Sequence, residues 1–537
     1  MIKKVVFLTF TALIVLNQLP AFAQKFNAKQ TFINAQKHIQ LGETVAAQED
    51  LLLYYKNDST NSNVNYLLGL CYFKTDATKK LCIPYLLKAT EINAAYQESN
   101  AKEKKASPEA LWILALSQYK NSLFDNALTS LEKYKEYISA NEVKKKDAEK
   151  MISLSINAKE LIKTPVKISL INMGQVINSE FDDHSPVFNI DETVMIFTSK
   201  RKGSTGNFKT SDKQYFEDIY ISRKENSQWS PPQKISENIN TMEHEASVAL
   251  SADGNDLIIY KDDVGDGNLY LSHYNGTEWS KPEKLSSNVN SSYDESHASI
   301  SSDGATLYFS SNRPGGFGGY DLYISYRLPN GDWSLAKNAG AVINTQLDES
   351  GPFIHPDGST LYFSSKGHNS MGGYDLFFTI LKDDGTFSKP ENMGYPINSI
   401  DDDIFYVLSA DGKRAYYSTV QSDGVGLKDI YLMDLLSLPE RALVVVNGFI
   451  KNKKTGEVVK DVVLKISDLK TGALIGDFKP NKQSGKYTIV LPKSKQYKLS
   501  CDGCGLTFPS DPLVIPENSS FYYLQKPIVL DPIVEVE

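Results

Sequence analysis

The chain repeats itself, and the repeat limits what it can fold into more than any bulk property does. The clearest copy spans residues 295–324, with Asp303-Gly304-Ala305-Thr306-Leu307-Tyr308-Phe309-Ser310-Ser311 followed by Gly318-Gly319-Tyr320-Asp321-Leu322-Tyr323-Ile324. A close variant stands at Asp357-Gly358-Ser359-Thr360-Leu361-Tyr362-Phe363-Ser364-Ser365 with Gly372-Gly373-Tyr374-Asp375-Leu376-Phe377. A third copy pairs Asp253-Gly254 with Asn268-Leu269-Tyr270-Leu271, and weaker ones begin at Asp191-Glu192 and Asp411-Gly412. Five β units at intervals of about 50 to 60 residues predict a solenoid or a propeller, because one such unit buries its apolar face only against its neighbours.

Each full unit offers four strand candidates. In the third they are residues 297–301, 306–310, 321–326 and 332–337, with Asp303-Gly304 as the first hairpin turn. Four short antiparallel strands per repeat suit a propeller blade. An aromatic residue opens the fourth position at Trp229, Trp279, Trp333 and Phe387, and an Ile-Asn or Val-Asn pair leads onward at Asn178, Asn240, Asn290, Asn344 and Asn398. The fifth unit stops after its third strand, at Asp429-Ile430-Tyr431-Leu432, while residues 166–177 precede the first unit like an orphan fourth strand. Together they complete one blade and leave no sheet edge open, so five blades are expected. These repeats resemble the PD40-type, WD40-like repeats of TolB-like propellers, in which a D-G turn and a strand ending in serines precede D-L-Y.

The flanks have other periods. Over residues 24–163 apolar residues recur three and four apart, as in Leu67, Leu68, Cys71 and Tyr72, which predicts paired helices. Asn65-x-x-Leu68-Gly69-x-x-Tyr72 and Trp112-x-x-Ala115-Leu116-x-x-Tyr119 resemble the first helix of tetratricopeptide repeats, with residues 143–163 as a capping helix. A concave peptide-binding solenoid and a helical bundle without a groove are both compatible with the pattern. Residues 441–525 return to period two, and Val446-Asn447-Gly448-Phe449-Ile450 with Gly485-Lys486-Tyr487-Thr488-Ile489-Val490-Leu491-Pro492 resemble a carboxypeptidase-regulatory-like domain, which implies a spacer or adhesion role. The expected fold is therefore multidomain: an all-α tetratricopeptide-like solenoid, a five-bladed all-β propeller over 164–440, a small β-sandwich over 441–525 and a tail over 526–537.

At 537 residues, 41% hydrophobic and 23% charged, the chain has the composition of several globular domains. A net charge of -8 and no concentrated basic patch argue against nucleic acid or an anionic membrane surface as partner. Residues 1–23 carry Lys3 and Lys4, an apolar run and then Ala21-Phe22-Ala23, the layout of a cleavable secretory signal with Ala21 and Ala23 at the cleavage site. No Cys follows that site and no later run is long enough to span a bilayer, so an exported chain without a lipid-modified N-terminus is expected. Cys71 and Cys82 fall in the helical region, as buried small hydrophobes or as a pair across a hairpin; Cys501 and Cys504 read as a local disulfide or two thiols.

The common catalytic spacings are missing. There is no G-x-S-x-G elbow and no P-loop, and His244-Glu245 lacks the second His of a zinc-protease helix. The segment from Asp262 to Asn268 faintly resembles a calcium loop, but it has no oxygen ligand at its third position and His273 stands where the terminal Glu should be. No catalytic residue, metal or cofactor is expected. One alignment does stand out: eight residues before each turn stands a carboxylate, Asp183, Glu245, Glu295, Glu349 and Asp403, with Asp182, Asp294, Asp348 and Asp402 beside four of them. The first strand of a blade lies nearest the axis, which places these acids around one mouth of the channel, together with Lys200, Arg201, Arg313 and Lys366 from neighbouring loops. Either the acids accept hydrogen bonds from loop amides and cations and so fix the blades, or this face holds a cation or a polar partner.

The whole order is similar to the first part of PorE-type OmpA-like proteins, associated with type IX secretion and gliding machinery. Their peptidoglycan-gripping OmpA-like domain would begin about where this chain stops at Glu537, so direct peptidoglycan binding is not expected. The resemblance implies a non-enzymatic scaffold, periplasmic and peripheral to the outer membrane, that holds envelope proteins such as an outer-membrane β-barrel of the PorP/SprF type. The alternative is an enzyme or a receptor for a glycan or other small ligand, built on the propeller channel.

Overall fold

The computed structural model describes residues 26–532, apart from 76–79, 99, 101, 263–264, 422, 437, 460–461, 494, 503–505, 508–511 and 517–519. The leader with Ala21 and Ala23, residues 263–264 of the acidic loop, Cys504 and residues 533–537 of the tail lie outside the described residues. Two compact units divide between Ile152 and Ser153. No helix among the described residues is long and apolar enough to cross a membrane.

The first unit is helical. It contains α1 (Ala28–Gln40), α2 (Thr44–Asn57), α3 (Ser62–Phe73), α4 (Cys82–Leu86), α5 (Glu109–Lys120) and α6 (Phe124–Lys135), and α7 (Glu142–Leu161) crosses the division. Asn27 and Asn61 cap α1 and α3, each side chain accepting the amide three residues on. Gly69 is small for a reason: a Cβ there would lie 2.5 Å from Leu86, so glycine lets α3 and α4 close up. The helix paired with α3 is short: α4 has only five residues, and the buried Ala89 lies beyond it. Cys71 and Cys82 are buried; burial pushes the Cys71 thiol up to about 11, and the Cys82 sulfur meets Ser117 Oγ at 3.1 Å.

The second unit holds antiparallel sheets arranged as a β-propeller, then a sandwich. The first strands of five sheets are β1 (Asp183–Phe188), β2 (Glu245–Leu250), β3 (Glu295–Ile300), β4 (Glu349–Ile354) and β5 (Val407–Leu408). In each sheet the second and third strands follow in order outward. The fifth sheet takes its outer strand, Ser169–Asn172, from before β1, in register with Tyr431–Asp434. The outer strands are shorter than the sequence suggests: Lys337–Asn338 replaces the expected 332–337. Trp333 makes a lone bridge to Arg327, and the next residue, Ser334, accepts the Tyr326 amide on its Oγ at 3.0 Å in place of a ladder bond. Ser230, Ser280 and Ser388 do the same in their sheets.

The Ile-Asn pairs join these sheets. Each Asn side chain takes the amide and gives to the carbonyl of one third-strand residue, as if it were a strand partner: Asn240 with Ile219, Asn290 with Leu269, Asn344 with Leu322 and Asn398 with Leu376, at 2.7–3.0 Å. Asn178 does this to Ile430, so the two ends of the propeller segment meet through the same contact as its interior units.

The sandwich is organised on the strand Leu443–Asn452, which pairs with Lys486–Pro492 and, in parallel, with Tyr522–Gln525 and Ile528–Pro532. Val444, Val446 and Ile450 point into its core. Leu443 and Val445, on the opposite face, join Val490 against Ile190 and Ala410 of the propeller turns, with Ala252 alongside. Asp191 accepts from Asn447 at 3.1 Å and Lys486 at 3.3 Å, and Asn481 gives to Asn255 at 3.2 Å. The domain that reads as a spacer thus seats on the face carrying the first-to-second-strand turns.

Candidate interaction face and central channel

The aligned carboxylates sit inside the turns, not on a surface. Asp183, Glu245, Glu295 and Glu349 are fully buried and Asp403 nearly so. Each accepts the backbone amide four residues before it, from Ser179, Thr241, Ser291, Thr345 and Ser399, at 2.6–3.0 Å. The hydroxyl of that Ser or Thr donates as well. A carboxylate rather than an amide stands here because it accepts several hydrogen bonds at once. The group closes the turn that enters each first strand.

Among the described residues, cations complete three of the five turns. Arg201 meets Asp183 at 2.6 Å and Arg313 meets Glu295 at 2.9 Å, each guanidinium also donating from Nε to a serine at the second strand's end and from a terminal nitrogen to the Ile177 or Val289 carbonyl. Both lie over two aromatic rings, Phe197 and Tyr220 or Phe309 and Tyr323. Lys261, which the sequence alignment did not pick out, pairs with Glu245 at 3.0 Å from the second strand. In the fourth sheet Gly367 occupies the arginine position, and His368 takes over the carbonyl contact, Nε2 to Ile343 O at 2.9 Å. Lys366 pairs instead with Asp348 at 2.8 Å. Among the described residues no cation reaches Glu349, and burial pushes its carboxyl up to about 7, against hydrogen bonds from Ser365 and Thr345. Burial likewise holds the Asp403 carboxyl well above its ordinary range.

The residue before four of the five buried acids clasps the neighbouring sheet, whereas Asp294 accepts the Tyr320 hydroxyl of its own sheet at 2.8 Å. Asp348 and Asp402 accept the amides of Tyr320 and Tyr374 at 3.1 and 2.9 Å, and Asp182 accepts that of Lys428 at 3.1 Å. His244 stands in the same place and takes the Glu217 amide on Nδ1 at 3.4 Å. Glycines permit this approach. A Cβ on Gly373 would lie 2.0 Å from Asp402 Oδ1, and one on Gly318, Gly372 or Gly426 would meet the carbonyls of the next turn within 2.3 Å. The Asp of Tyr-Asp-Leu takes loop amides too: Asp321 from Phe317 and Gly318, Asp375 from Met371 and Gly372.

The same loops also present several large apolar side chains outward, among exposed charges such as Lys202, Lys209, Asp212 and Glu243. Met242 is 63% exposed, Phe208 50% and Phe317 49%, and Tyr293 and Leu347 stand out from matching turns. These residues carried no motif. Their signal was only their place, two or three residues before an aligned acid or within a second-to-third-strand loop.

The first strands share one further irregularity. Register breaks within β1 to β4 at matching places; Ser185 and Gly351 there have φ of 52° and 54°, and the matching Phe405, just before β5, has 61°. The matching residues Ser185, Ser247, His297, Gly351 and Phe405 come together and line a cavity of about 100 Å³ bounded by all five first-strand segments. His184 beside it hydrogen-bonds Ser185 Oγ at 2.9 Å and faces Glu217 at 3.4 Å. Burial opposes the charge on Glu217, but hydrogen bonds from His184 and His244 and the nearby Lys200 hold its carboxyl well below the ordinary range. Among the described residues no group of three His, Cys, Asp or Glu side chains is placed to hold a metal ion.

No family model matches the chain, and no curated protein matches it. Among solved structures it is similar to TolB from Acinetobacter baumannii, at 16% identity and TM-score 0.32 over 55% of this chain and 71% of that one. It is also similar to a glycoside hydrolase, at 9% identity and TM-score 0.37 over 53% and 96%, and to alpha-L-arabinofuranosidase from Lactobacillus brevis, at 11% identity and TM-score 0.32 over 48% and 92%.

Proposed function

We propose that the chain is a non-catalytic scaffold of the bacterial envelope, in which a five-bladed propeller holds a partner protein on its loop face and tetratricopeptide-like helices offer a second surface. The observation that carries this reading is the loop face itself: large apolar side chains, Phe208, Met242, Tyr293, Phe317 and Leu347, project from turns braced by buried acids. Exposed apolar residues grouped on a rigid frame mark a protein-interaction site, since the frame has little left to order on binding. The signal-like leader and the resemblance to PorE-type proteins support export to the periplasm, an outer-membrane β-barrel of the PorP/SprF type as partner, and a role in type IX secretion or gliding.

Crosslinking and mass spectrometry on intact cells test this, comparing the wild type with a Met242→Asp/Phe317→Asp variant. Loss of one envelope protein from the variant's crosslinks, with its melting temperature unchanged, is the expected result. Identical crosslinked partners in both proteins would remove the loop face from consideration.

A further inference from the structure

The cavity among the first strands has a floor and a roof. Its floor is formed by Ile190, Ala252 and Ala410 from the propeller turns, the same residues against which Leu443, Val445 and Val490 of the sandwich pack. Its roof is the ring of irregular positions, where the Phe405 ring lies 6.1 Å from the His184 imidazole and 5.0 Å from that of His297. Between them the lining is mostly apolar, with Phe353, Tyr406, Ala249 and Ala298 among it, and the Ser185, Asn189, Ser247 and Ser299 side chains there are already hydrogen-bonded within the protein.

Two polar groups in the lining have unused capacity: the buried Tyr406 hydroxyl, which has no hydrogen-bond partner among the described residues, and His297. The His297 Nδ1 lies 2.9 Å from both the Ser296 and Ser350 hydroxyls, and among the described residues Nε2 has no hydrogen-bond partner. Burial, reinforced by His184, pulls the His297 pKa down to about 4, so at neutral pH it is an uncharged imidazole. Seated hydroxyls on Nδ1 leave Nε2 for a guest.

We propose that this cavity is a binding site for a small apolar molecule, one aromatic ring or a short branched alkyl chain in size, whose single polar group meets His297. Shape and polarity decide the class. A sugar carries a hydroxyl on nearly every carbon, and most of these would face Phe353, Ile300 or Val248 unpaired. A ring with one polar substituent loses nothing at the walls and satisfies the roof. The site is independent of the loop-face scaffold.

The test uses the full chain with phenol, toluene and xylose, read by titration calorimetry and thermal shift. Phenol and toluene are expected to bind saturably and raise the melting temperature, and xylose to do neither. Val248→Phe, which puts a ring into the space, should abolish both responses while keeping its own cooperative melt. Should that variant not fold, His297→Asn carries the test: phenol affinity should fall by about tenfold, the worth of one hydrogen bond, with toluene unaffected. No saturable binding of either aromatic, undiminished binding in a folded Val248→Phe protein, equal loss of phenol and toluene in His297→Asn, or saturable xylose binding would each overturn the proposal.

Discussion

Glu295 and Glu349 occupy the same position in neighbouring sheets, yet their surroundings give them different electrostatics. Glu295 is held by Arg313, Ser311 and the Ser291 amide, whereas Glu349 has the hydroxyls and the amide but a glycine in place of the arginine. Arg313→Ala should cost about 3–5 kcal/mol in urea denaturation, because it strands a buried carboxylate. Glu349→Gln should cost less than about 1 kcal/mol at pH 5, where the native carboxyl is already protonated and an amide replaces it at equal shape. The sign of the pH effect follows from the raised pKa. Stability linked to Glu349 is fully present below its ordinary 4.5 and is lost as pH rises through about 7, since the unfolded chain releases the proton first. Asp375, raised to about 7 by burial, and Asp403 contribute in the same direction. The stability of Glu349→Gln relative to wild type should therefore climb between pH 5 and pH 8; a flat difference would show that Glu349 is ionised throughout.

At the scale of the element, the Gly-Gly-Tyr-Asp loop shows why a repeat keeps glycine where no unusual φ requires it. Gly372 is enclosed by carbonyls of the next turn, with a Cβ there 2.3 Å from Ser399 O and 2.6 Å from Asp401 O. Gly358, in the Asp-Gly turn, has φ of 72° and open space around it. Gly372→Ala should lose about 3 kcal/mol, because backbone must move, and Gly358→Ala about 1 kcal/mol from local strain alone. Chemical denaturation of the two variants compares them directly. Equal losses would mean that the second-to-third-strand loop yields to its neighbour more easily than its hydrogen bonds to Asp375 suggest.

For the second unit as a whole, the decisive contact is the sandwich on the propeller turns. The run Leu443-Val444-Val445-Val446 is apolar without alternation because both faces of that strand are buried, one in the sandwich core and one against Ile190 and Ala410. Val445→Asp should leave each core intact and uncouple the two, so that scanning calorimetry resolves two transitions where the wild type gives one. Val529→Asp, at a position 48% exposed, should keep the single transition. Two transitions already in the wild type would show that the contact adds no cooperativity.

What the sequence determined was whatever repeats. Turn, strand and helix periods follow from local chemistry, so the β units, the shared end unit and the aligned acids could be read from spacing: Asp303-Gly304 reports a hairpin and Asp183 to Asp403 a common turn. The sequence also showed that Asn178 belongs with Asn240 and Asn398, though not that each imitates a strand. What only the tertiary structure decided was where those groups end up. Whether a carboxylate meets solvent or a guanidinium depends on residues far along the chain or in another strand, as with Lys261 reaching Glu245 or His368 standing in for an arginine. The cavity around His297 and the seating of Val445 on Ile190 have no local signal at all, since each is made by small and large side chains that become neighbours only when the sheets come together.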